Sequence, residues 1–157
     1  MLQLTLMEFF FRVIPDAILF MIGAHIFSNK PMQKNNMLKS ILCMAITVYL
    51  IRCLPITFGI HTLLGVVATT LIIIGFHKID LLQAIRATFL TTLIQYISEL
   101  LNMVWIQLCL GKELEAIFAN PTTKLLYGLP SLAFSALILY ICYILKRHRK
   151  EAVRNGD

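Results

Sequence analysis

Glu8, Arg12 and Asp16 recur at intervals of four residues, so on a helix they share one face and alternate in sign. Arg52, His61 and Glu99 interrupt other long apolar stretches, and Asn102 follows Glu99 within one helical turn. Among them Asp16 and Glu99, with Arg52 and His61, are two carboxylates, an arginine and a histidine that can neutralise one another. Ionisable groups inside a membrane are costly and tend to face the bundle interior in pairs. Three chemistries suit such a set: ion pairs that glue helices together, a polar pocket that binds or senses something, and a proton relay through His61 and Glu99. Pro15 stands beside Asp16 and has no N–H, which leaves a backbone carbonyl one turn earlier open to polar partners.

Other reactive residue types are present without the spacing that chemistry requires. Cys43, Cys53, Cys109 and Cys142 form no zinc or redox motif, and free cysteine in an apolar chain acts as a small hydrophobe. Cys53 and Cys109 fall near the same ends of their segments, the one pairing a disulfide could use. His25, His61, His77 and His148 are scattered, whereas a metal site needs clustered ligands. Glu113 and Glu115 read as solvated loop charges, and no two-histidine protease helix appears. His61 with the distant Cys109 is a poor nucleophile and base pair. The expectation is a protein that is not an enzyme and carries no metal or cofactor.

The elements that must position these residues follow from composition. Of 157 residues, 59% are hydrophobic and 14% charged, with a mean hydropathy of +0.80. Soluble domains run at about 45–50% apolar and about 25% charged, so the chain is an integral membrane protein with a single membrane domain, 1–157. A bilayer core needs roughly 20 helical residues. Spans are predicted at about 9–28, 37–55, 56–76, 81–110 and 125–145. The fourth is too long for a perpendicular helix and should tilt or project. The first, interrupted by Arg12 and Asp16, is the one that could instead lie in the interface, leaving four. It lacks the positive start of a signal peptide and reads as retained.

The loops set the orientation. Lys30, Lys34 and Lys39 lie between the first two spans and Lys78 between the third and fourth. Lys146-Arg147-His148-Arg149-Lys150 and Arg154 follow the fifth. Cytoplasmic loops collect Lys and Arg, which puts the N-terminus outside and the C-terminus inside. The basic tail, 146–157, lacks the aromatic interleaving or folded domain of a nucleic-acid binder, so no nucleic-acid partner is expected. Gly111 to Lys124 reads as a short amphipathic piece on the outer surface, ended at Asn120-Pro121. With this orientation Asp16, Arg52, His61 and Glu99 come from four helices at similar depth. Glu8, Arg12 and Asn102 support them, and Arg86 stands near the inner end.

Several short motifs carry a resemblance: Arg12-Val13-Ile14-Pro15, Tyr49-Leu50-Ile51-Arg52, Leu54-Pro55-Ile56 and Gly59-Ile60-His61-Thr62. Ile97-Ser98-Glu99, Asn120-Pro121 and Tyr127-Gly128-Leu129-Pro130 add to it. Together they resemble the N-terminal membrane sensor regions of Gram-positive histidine kinases with GHKL-type ATPase domains. The resemblance covers about residues 8 to 145, and no phosphoacceptor or ATP-binding segment follows Lys150 within the sequence. It implies a sensor-like module of a bacterial cytoplasmic membrane that works with a separate histidine kinase, another membrane protein or a second copy of itself.

The resulting expectation is an all-α bundle of five transmembrane helices with a non-enzymatic sensing or regulatory role. Glu99 and Arg52 would form the central ion pair, modulated by Asp16 and His61. Pro130 would act as a hinge and the basic tail as a docking surface. A small transporter or solute-binding membrane subunit is the alternative.

Overall fold

A computed structural model describes residues 9–28, 34–54, 58–110 and 121–155, and every element in them is helical. A wide π turn, Phe9–Val13, leads into α1, Ile14–Phe27. Then follow α2, Lys34–Cys53; α3, Phe58–His77; α4, Leu81–Leu110; and α5, Pro121–Asn155. Among the described residues five stretches are long and apolar enough to cross a membrane: Phe9–Phe27, Asn35–Cys53, Gly59–His77, Leu81–Cys109 and Leu125–Arg149.

Local chemistry explains the boundaries. Pro15 cannot donate a hydrogen bond to the carbonyl of Phe11, and its ring crowds that carbonyl. The chain widens into the π turn at this point. Lys78 takes the left-handed conformation (φ 51°) and its N–H bonds the Ile74 carbonyl at 2.9 Å, closing α3. The Asp80 carbonyl accepts from Ala84 N–H at 2.9 Å as α4 begins. Pro121 opens α5, where its missing N–H costs no intrahelical bond. The basic segment after the fifth span is helical, because α5 continues through it to Asn155. The amphipathic piece expected before Pro121 lies outside the described residues, as do Glu8 and Lys30.

The span interrupted by charge is the most interior one. Of its residues 39% are buried, against 17–22% in the other four. α1 packs against α2, α4 and α5, while α2–α3, α3–α4 and α4–α5 adjoin in sequence order. Small side chains permit this. On α4, Ala84, Ala87, Thr88, Thr91, Ser98 and Asn102 are buried at steps of three, four and seven, one continuous seam. On α1, Ala17, Phe20, Met21, Gly23 and Ala24 are buried. A Cβ on Gly23 would stand 2.6 Å from Thr91 Cγ2 and 3.0 Å from Leu139 Cδ2, so three helices meet at that glycine. Such close approach replaces hydrophobic drive as the source of packing in lipid. The outward surface is correspondingly apolar, with Leu63, Leu82, Leu108 and Leu126 exposed for acyl chains to cover.

Candidate functional site

Contacts between helices fix which ends lie together. Arg12, Glu99, Asn102 and Tyr127 meet at one end. At the other, Asn36 Nδ2 donates to the Phe76 carbonyl at 2.8 Å and Lys146 Nζ donates to the Ile26 carbonyl. The first of these ends holds the candidate site.

The site is a ladder between antiparallel α1 and α4. Arg12 Nη2 pairs with Glu99 Oε1 at 3.2 Å, and one turn deeper Gln95 Nε2 donates to Asp16 Oδ1 at 2.6 Å. The four-residue steps from Arg12 to Asp16 and from Gln95 to Glu99 run in opposite directions, so both rungs form together. A third contact joins α4 to α5, where Asn102 Nδ2 donates to the Tyr127 carbonyl at 2.8 Å. Asn102 is buried, and its Oδ1 has no hydrogen-bond partner among the described residues. The Arg12 guanidinium also crosses Gly128 of α5, where a Cβ would stand 3.1 Å from Nη1. The π turn matters here, because it sets the rotation at which Arg12 leaves α1.

The sequence-predicted residues divide. Asp16, Glu99, Arg12 and Asn102 are brought together by the ladder. Glu99 and Arg52, expected to form the central ion pair, are not partners: Glu99 pairs with Arg12, and Arg52 acts electrostatically on Asp16 from the end of α2. The reason is rotational, since α1 lies between them and turns its polar face to α4. His61 stands off the ladder, its Nε2 hydrogen-bonded to the Leu54 carbonyl at 3.2 Å across the α2–α3 connection. Nearby, Tyr96 Oη donates to Thr62 Oγ1 at 2.8 Å. Gln95 was missed. Its signal was its place four residues before Glu99 and seven before Asn102, on the same helix face.

The chain matches no family model, and no curated protein or solved structure is significantly similar to it. What the site can do therefore rests on its geometry. The side chains of Arg12 and Glu99 are 25% and 45% exposed, so the outer rung is open on one side while the Asn102 amide behind it is buried. Charge is balanced between Arg12, Arg52, Asp16 and Glu99. The arrangement can hold a small polar group or exchange partners; it offers no nucleophile beside a base. Among the described residues no three His, Cys, Asp or Glu side chains gather as a metal site, and Cys43, Cys53, Cys109 and Cys142 are free thiols.

Proposed function

We propose that the protein is a non-enzymatic sensor or regulatory module of a bacterial cytoplasmic membrane. In this reading the ladder end faces outward, and α5 carries the response inward to a separate partner such as a histidine kinase. The Lys and Arg bias of the segments supports that orientation, and the motif resemblance supports that partner.

The observation that carries the reading is the two-rung attachment of α1, the most buried span, to α4. A ligand that competes for the half-exposed Glu99 carboxylate releases one rung and leaves the other. It shifts α1 between seatings by as much as its affinity differs between them. The far end of α1 is tied to α5 through Lys146 and the Ile26 carbonyl, so a change of seating reaches the basic helix.

Gentle-detergent purification from native membranes, with mass spectrometry of proteins and small molecules, tests the reading. The expected result is a stoichiometric kinase or regulator with the wild type and an altered amount of it with Glu99→Gln. A bound solute and no protein partner would overturn it in favour of a transporter or solute-binding subunit.

A further inference from the structure

The end of the bundle opposite the ladder carries a different surface. It is defined by Asn36 on the Phe76 carbonyl, by Ser40 Oγ and His77 Nε2 at 3.1 Å, and by Lys146 on the Ile26 carbonyl. Around it Lys39, Lys78, Arg86, Arg147 and Arg149 are exposed. They come from the start of α2, the α3–α4 reversal, the second turn of α4 and the end of α5. Cations therefore stand on several sides of the bundle rather than on one helix. Among the described residues the acids at this end are Asp80 and Glu151, and Glu151 is engaged by Arg147 at 2.9 Å.

We propose that this collar is a binding surface for the headgroups of anionic phospholipids, held as specific neighbours of the protein. The apolar surroundings of the cations identify the occupant. Leu38 beside Lys39, Leu82 and Ile85 beside Arg86, and Leu145 near Arg147 are all exposed. Lys39, Arg86 and Arg147 thus stand at the edge of bare hydrocarbon surface, which suits a phosphate with an acyl chain beneath it. An acidic protein would meet the charges but leave those leucines uncovered. Lys78 is well placed for this role, because its left-handed backbone forms the reversal at the very end of α3. Basic residues near an anionic leaflet each favour binding by roughly five-fold, and salt weakens the effect.

The full chain is reconstituted in nanodiscs of phosphatidylcholine with a minority of phosphatidylglycerol, released, and analysed by native mass spectrometry. Wild type and Gly65→Ala, whose added methyl has nothing within 4 Å, are expected to retain phosphatidylglycerol well above its share of the bilayer. The quadruple variant Lys39→Gln, Lys78→Gln, Arg86→Gln, Arg149→Gln is expected to retain at least about ten-fold less, after allowance for screening. The paired exchange Lys39→Arg and Lys78→Arg keeps the lipid, which separates loss of charge from loss of fold. Equal retention by the quadruple variant overturns the proposal. So does retention that follows Arg12 and Arg52 instead, or an acidic protein released by salt with no preference between the two lipids.

Discussion

Arg12 and Glu99 differ from a surface ion pair in what lies around them: α5 passes under the guanidinium at Gly128, and Asp16 with its Gln95 rung lies one turn below. Removing one charge leaves the other beside apolar surface, which is more costly than removing both. Glu99→Gln and Arg12→Gln are each expected to lower the thermal midpoint in detergent, and the double variant to recover part of the loss. The coupling energy should be about 1–2 kcal/mol, the upper range for polar contacts between membrane helices. A coupling indistinguishable from zero would mean the pair does not form in the membrane. The second rung makes a different forecast. Asp16→Asn keeps the side-chain acceptor for Gln95, whereas Asp16→Leu leaves that half-buried amide only the long bond to the backbone carbonyl at position 16, at 3.4 Å. The leucine variant should therefore be less stable than the asparagine one by about 1 kcal/mol in the same melting experiment.

At the scale of the element, α1 depends on having almost no side chain at Gly23. Alanine there places a methyl 2.6 Å from Thr91 Cγ2, a contact that requires α1 or α4 to shift. Overpacking of this kind costs roughly 1–3 kcal/mol. Thr91→Ser removes the offending methyl and keeps the hydroxyl that bonds the Ala87 carbonyl at 2.7 Å, so it should restore part of the stability lost by Gly23→Ala. Gly65→Ala, with nothing within 4 Å of the added carbon, should melt like the wild type. If Gly65→Ala proved as harmful as Gly23→Ala, the close approach of the three helices would be wrong. The spans themselves were legible in the sequence because each crossing demands roughly 20 apolar residues and leaves few alternatives. The rotation of each helix was not. Where every face is apolar, hydropathy cannot say which one meets a neighbour. Depth alone therefore put Arg52 opposite Glu99, while the packed bundle puts Arg12 there. Gln95 and the small-residue seam on α4 were readable in their spacing, but only once the polar face of α1 had a partner to point at.

For the whole molecule, the two ends of the bundle differ in chemistry, and the native cysteines sit where they can report it. Cys53 and Cys109 are exposed at the ends of α2 and α4, on the ladder side. Arg149 is exposed near the end of the fifth candidate span, on the opposite side. α5 is 35 residues long, which at about 1.5 Å per residue makes it roughly 50 Å, well beyond a bilayer core of about 30 Å. Its basic stretch must then project past the hydrocarbon, because Lys146 is tied to the end of α1 and prevents the helix from sliding the other way. With the proposed orientation, a membrane-impermeant maleimide applied to intact cells should label Cys53 and Cys109 in the wild type. In a background with all four native cysteines replaced by alanine, Arg149→Cys should react only after the membrane is opened. The reverse pattern would invert the proposed orientation while leaving the bundle intact. Labelling of Cys53 and Cys109 from different sides would break the bundle itself, since the His61–Leu54 contact across the α2–α3 connection and the Tyr96–Thr62 bond between α3 and α4 put the ends of α2 and α4 on one face of the membrane.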